Sequence, residues 1–217
     1  MSRQCWIMVV WVLSVSIAGC ATSEFFTVTI YDSPQRVVRL QTKSLDDTEG
    51  GYSHPASVSV EQMTRVLTGL FTEVGDTPFS RSGTRHRAFS DSEIKFFAPL
   101  FVRGLEQATP EEVVTFFETA EISDQQEATT SGGVFVRENG LYIIMSNHGV
   151  KTAIWQDNDQ YESPQRLSPL EPMAPEPGRL VFEPAEFMLP LEENTWLDTL
   201  KGKPWHAAVK YLELPEE

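Results

Sequence analysis

From Val113 onward the apolar residues of this chain recur at every second position, and that change of period constrains the fold more than any other feature. Alternation puts successive side chains on opposite faces of a strand. Val113 to Thr119, Gly133 to Arg137 and Leu141 to Asn147 therefore read as strands, and Asn139-Gly140 between the last two is a favoured tight-hairpin pair. "VKTAIWQ", residues 150 to 156, reads as a further strand. Neighbouring strands joined this way are antiparallel, and a half-buried sheet needs a layer to cover it.

Two helices are expected to supply that layer. Ser59 with Gln62 is a capping pair, followed by Val60, Met63, Val66, Leu67, Leu70, Phe71 and Val74 at helical spacing up to Gly75. Ser90 with Glu93 is a second capping box, followed by Ile94, Phe97, Ala98, Phe101 and Leu105. Pro99 lies inside that run and removes one helix hydrogen bond, which predicts a kink or a split near Lys95 to Pro99. Upstream, Phe25 to Tyr31 and "RVVRLQT" read as strands, and residues 45 to 57 as a loop. Downstream, residues 163 to 178 carry Pro164, Pro169, Pro172, Pro175 and Pro177 and are expected to run extended over the surface, as a lid or brace. A polyproline-type ligand for an aromatic groove is the rival reading of that segment. "RLVFEPAEF" resumes strand character, "NTWLDTLKG" reads as a short helix and "WHAAVKYLEL" as a closing strand. The expectation is one α+β domain over 25–217, a mostly antiparallel sheet packed by two principal amphipathic helices. The near-match of "YDSPQR" at 31–36 with "YESPQR" at 161–166 reads as chance or as two similar turns.

The net charge of -14 argues against a nucleic-acid partner, whose affinity rests on many Lys and Arg contacts to phosphate. It equally disfavours electrostatic adsorption to anionic lipid, so residence at a membrane needs another anchor. The N-terminus provides a candidate. Arg3 precedes an uncharged apolar stretch from Cys5 to Ala18, shorter than the roughly 20 residues that a transmembrane helix needs. Residues 1–19 read as a cleaved export signal, leaving Cys20 as the one cysteine of the mature chain and no disulfide to support it.

Ile17-Ala18-Gly19-Cys20 resembles the lipobox of bacterial lipoproteins. That resemblance implies cleavage between Gly19 and Cys20, a diacylglyceryl group on the Cys20 thiol and acylation of the new amine. Two or three acyl chains hold a folded domain firmly where one would not. An ordinary cleaved signal ending in Gly-Cys is the alternative. Ala21 and Thr22 follow with no Asp, which in Gram-negative members of the class implies the periplasmic face of the outer membrane; without an outer membrane, the same anchor holds the outer face of the plasma membrane. Residues 20–24 would form a short tether. The body is similar to bacterial lipoproteins of unassigned function in His54-Pro55 before a helix, in Phe89 to Pro99 and in Pro169 to Pro184. This similarity implies no activity.

The chain contains no Gly-rich phosphate loop, no His-Glu-x-x-His and no Gly-x-Ser-x-Gly. His54, His86, His148 and His206 are scattered, so no metal ligand set and no cofactor site is expected. Ser131 and His148 face the same open hairpin end, but without a third orienting group they read as turn residues and not as a nucleophile and base. Arg81, Arg85, His86 and Arg87 cluster on a Gly-containing stretch of an acidic chain. They read either as an interaction loop for anionic headgroups or an acidic partner, or as a solvated loop whose arginines pair with nearby carboxylates. The expected role is a lipid-anchored, non-catalytic envelope protein, bound to membrane lipid through acylated Cys20 and to an envelope protein as an accessory component. A small-molecule or solute-binding module is the second reading, and an envelope hydrolase the third.

Overall fold

The computed structural model describes residues 26–42, 51–75, 83–154, 164–174, 178–191 and 204–215. Gly19, Cys20, Arg81 and the "NTWLDTLKG" segment lie outside the described residues. The strands are β1 (Phe26–Asp32), β2 (Arg36–Thr42), β3 (Leu70–Gly75), β4 (Gly83–Arg87), β5 (Glu112–Ser123), β6 (Gln126–Arg137), β7 (Gly140–Ala153), β8 (Gly178–Phe182) and β9 (Trp205–Val209). The helices are α1 (Val60–Thr68), α2 (Asp91–Gln107) and the single turn α3 (Pro164–Leu167). Six strands form one sheet in the order β1-β2-β5-β6-β7-β9, and three form another in the order β4-β3-β8. All pairings are antiparallel. The architecture is α+β, and no described helix is long and apolar enough to cross a membrane.

The alternation that dominates the sequence is what builds the large sheet. Val114 and Phe116 of β5, Val134 and Val136 of β6, and Leu141 and Ile143 of β7 point to one face, where Met63, Leu67, Phe97, Phe101 and Leu105 of the helices meet them. Phe97, Phe101 and Phe116 lie 5.3 to 5.5 Å apart by ring centroid, and Phe89 closes the group at 5.8 Å from Phe116. The other face carries a smaller cluster of Tyr52, Val113, Phe135, Ile144 and Leu170.

Several expectations are corrected. The first helix ends at Thr68 with Gly69 as its C-cap, and Leu70, Phe71 and Val74 belong to β3. A Cβ on Gly69 would lie 2.5 Å from the Phe182 ring, so glycine there lets β8 approach and pair with β3. Tertiary pairing overrides a helical period that also fits. Pro99 does not split α2, which is continuous to Gln107; Pro99 and Lys95 are exposed, so the missing bond falls where water can replace it. The β6–β7 turn is Glu138-Asn139, with Glu138 at φ 54°, and Gly140 already pairs with Arg137. Residues 150–153 continue β7 and do not form a separate strand.

The Pro-rich segment is neither wholly extended nor wholly superficial. Pro164 opens α3, whose Arg166 is fully buried and bonds the Asp32 carboxylate and the Pro34 carbonyl. Leu170 is buried in the second cluster, while Asn147 donates to the Glu171 carbonyl and accepts from Met173 N–H at 2.8 Å. The first near-repeat forms the β1–β2 turn, whereas the described part of the second, Pro164 to Arg166, opens a helical turn, and the two touch through Arg166.

Candidate functional site

Glu118 is a charge at a position where alternation calls for an apolar residue. It follows Val114 and Phe116 on the helix-covered face, and it is 7 % exposed. Register aligns it with Arg36 of β2 on one side and Thr130 of β6 on the other. Between the pairs Thr129–Val150 and Ser131–Asn147, β7 holds one residue more than β6. The extra residue makes a bulge at His148-Gly149, with Gly149 at φ 63° and its N–H donating to Thr130 Oγ1 at 3.1 Å. A further bulge, with Ser146 standing extra between the pairs Gly132–Met145 and Ser131–Asn147, turns His148 to the helix face, where its ring lies 6.5 Å from that of Trp205. Arg36, Glu118, Thr130 and His148 thus form a polar row across four adjacent strands, and only Glu118 among them is fully buried.

The row lies beneath the first turn of α2. Ser90 and Glu93 make the reciprocal capping box there, Ser90 N–H donating to Glu93 Oε2 at 2.5 Å. Arg36 donates to Glu118 Oε1 through Nε at 2.7 Å and Nη2 at 2.6 Å, its guanidinium lying 4.4 Å above the Phe96 ring. Burial raises the pKa of Glu118 above the usual carboxylate range, against the pull of Arg36, and the Glu93 carboxyl beside it acts in the same direction as burial. Glu118 Oε2 has no hydrogen-bond partner. Glu93 offers only acceptors when ionised, so the two carboxyls bond each other only by holding a proton between them. Burial pushes the His148 imidazole below its ordinary pKa, with Glu93 and the Ala88 carbonyl opposing and His86 adding to the fall.

Of the basic residues selected from the sequence, Arg85, His86 and Arg87 fall beside this row, on β4 and not on a loop. Arg85 pairs with Glu73 at 2.5 Å and with Glu183, and Arg87 pairs with Asp91 at 2.6 Å, while His86 is exposed. Arg179 joins the same Glu73 at 2.7 Å. His86 and His148 come within electrostatic reach of each other; His54 is buried at the far end of the sheet and His206 is exposed on β9. Ser131 does not meet His148: its hydroxyl accepts from Asn147 Nδ2 at 2.8 Å on the opposite face of the sheet. Among the described residues no group of three or more His, Cys, Asp or Glu is placed to hold a metal ion. What the row offers is one guanidinium, a neutral imidazole, a hydroxyl and two facing carboxyls, groups able to donate and accept hydrogen bonds.

Sequence reasoning missed Arg36, Glu118 and Thr130. The available signal was Glu118 itself, out of place in an apolar register. The chain matches no family model, no curated protein and no solved structure.

Proposed function

We propose that the protein is a lipid-anchored component of the bacterial cell envelope that acts by binding, as an accessory part of an envelope complex. One observation carries the reading: β1 begins at Phe26, six residues after Cys20. Six residues reach roughly 22 Å at full extension, so an acyl anchor on Cys20 would hold the sheet close to the lipid surface. The register adds a direction. Phe26 pairs with Gln41, and Gln41 with Val113, so the tether joins the sheet five residues, about 17 Å, from Glu118. The polar row and the far ends of β5, β6 and β7 would then face away from the membrane, where a partner is met. In this reading α1 and α2 are the two principal amphipathic helices, and the Pro-rich segment is a brace that stiffens the domain.

Metabolic labelling with an alkyne fatty acid tests the anchor: wild type is expected to carry label and to fractionate with membranes, and Cys20→Ser to do neither. Label retained in Cys20→Ser would overturn the anchor. In-cell cross-linking with capture of the acylated protein tests the partner; a stoichiometric envelope protein is expected, and recovery of monomer alone counts against the accessory role.

A solute-binding role is the second reading, favoured by the unpartnered Glu118 Oε2 beneath a half-exposed rim. It predicts a ligand-dependent rise in Tm that Glu118→Gln reduces.

A further inference from the structure

The end of the sheet nearest the tether contains a buried histidine, His54, and its hydrogen bonding fixes its protonation state. β5 reaches back to Glu112, where it still pairs with β2, but its pairing with β6 ends at Val114–Val134. Val136 would be left with an unpaired N–H and C=O on that edge. Segment 51–56 fills the gap: Ser53 N–H donates to the Val136 carbonyl at 2.8 Å, and Val136 N–H donates to His54 Nε2 at 2.9 Å. An imidazole nitrogen that accepts carries no proton, so His54 is neutral with its hydrogen on Nδ1.

We propose that His54 is an acid-sensitive latch, protonation of Nε2 breaking its bond from Val136 and releasing segment 51–56 from the tether end of the sheet. The consequence is geometric. A second proton places two donors, Nε2–H and Val136 N–H, against each other, and puts a cation in a site 6 % exposed to solvent. The charged and titratable groups around the ring are few. Tyr52 stacks on it at 5.6 Å from the same segment, its own phenol pushed up to about 12 by burial. Glu112 of β5 favours the imidazolium, but its carboxylate is already engaged by the Thr27 hydroxyl and by Thr109 N–H at 2.8 Å. Arg137, at the end of β6, acts on Tyr52, lowering its pKa against the effect of burial. Burial outweighs the backbone groups of Glu112 and Thr109 and the Glu112 charge, all of which favour the imidazolium, and lowers the His54 pKa.

What the latch holds is extensive. Tyr52 N–H donates to the Pro110 carbonyl at 2.7 Å, Ala56 N–H to Leu105 at 2.9 Å, and Glu138 N–H to Ser53 Oγ at 2.8 Å. The segment therefore ties the end of α2, the turn before β5 and the β6–β7 hairpin together. Lifting it uncovers Phe135, which lies 4.7 Å from Tyr52.

The test is amide hydrogen exchange of the purified protein from pH 7.5 to 5.5, corrected for intrinsic exchange rates. Opening at residues 51–56 and at Val136 is expected to rise below pH about 6.5 by up to tenfold per pH unit, the slope for uptake of one proton. The middle of α2, residues 97–102, is expected to stay protected. In His54→Gln an amide oxygen can accept from Val136 without titrating, so protection at pH 7.5 is kept and the pH dependence is lost. Opening at Val136 that does not change with pH, or that changes equally in His54→Gln, overturns the latch. Should His54→Gln fail to fold, the wild-type His54 ring proton decides: titration below about 6.5 in step with the loss of Val136 protection supports it, and titration at or above that value without the loss overturns it.

Discussion

The two faces of the six-stranded sheet are covered by different means. On one face, α1 and α2 lay down an apolar layer in which Phe97, Phe101 and Phe116 meet ring to ring. On the other, irregular chain and the single turn α3 cover a cluster of five buried apolar residues and are held by polar pegs: His54 on Val136, Asn147 on Ser131 and Met173, and Arg166 on Asp32. A helix satisfies its own backbone, so its apolar stripe can do all the attaching. Irregular chain brings unpaired N–H and C=O groups with it, and these need side chains to receive them. The first face is thereby secured by burial, which is non-directional, and the second by hydrogen bonds that depend on geometry and on protonation.

The largest test of that difference is Phe97→Ala. It should cost about 3–5 kcal/mol, because it removes a fully buried ring from the middle of the helix-side core. Urea unfolding should show one cooperative loss across the domain. A loss below about 1 kcal/mol would mean that the helix layer is not the main source of stability.

Asn147→Ala should cost less, roughly 2 kcal/mol, by leaving Ser131 and Met173 N–H with unmet hydrogen-bonding groups. Its effect should be local. Limited proteolysis should reach residues 164–174 first while α2 stays intact, and simultaneous loss of both would erase the distinction between the faces. Ser90→Ala should be milder again, about 1 kcal/mol, since it removes one half of a capping box on a long helix. Thermal unfolding monitored at 222 nm would read it, and no change would mean that the capping box adds little to α2.

The smallest and most diagnostic effect concerns acid. His148 and His54 are both pushed below the ordinary histidine pKa by burial, so each contributes stability that is present above about 6.5 and lost as pH falls below it. Glu118 has the opposite sign: its raised pKa gives stability at low pH that is lost as pH rises through the folded value. Comparing Tm of wild type and His148→Gln from pH 7.5 to 5.5 cancels the Glu118 contribution. The wild type should lose more than the variant, and equal slopes would show that the helix-side histidine is not a source of acid sensitivity.

Much of the large sheet was legible because its signals are local. β2 coincides with "RVVRLQT", the Ser59 and Ser90 boxes start α1 and α2, and the alternation of Val114, Phe116, Val134 and Ile143 fixes which face takes the helices. Leu70 to Val74 failed as a helix because one stretch satisfies two periods, and pairing with β8 across more than a hundred residues chose between them. The basic stretch was visible as a cluster of residue types, yet its fate as a paired edge strand depended on Glu73, Glu183 and Asp91 being brought to it.

The sequence by itself determined the strand alternation and the helix starts, since each is written in residues a few positions apart. Only the tertiary structure decided that Arg36, Glu118, Thr130 and His148 share one row, that Ser131 and His148 lie on opposite faces, and that His54 completes the edge of β6. The reason is physical. A β-bulge shifts register by one residue and so reverses the face of everything beyond it, and a strand that ends early leaves an N–H for whatever distant segment can accept it.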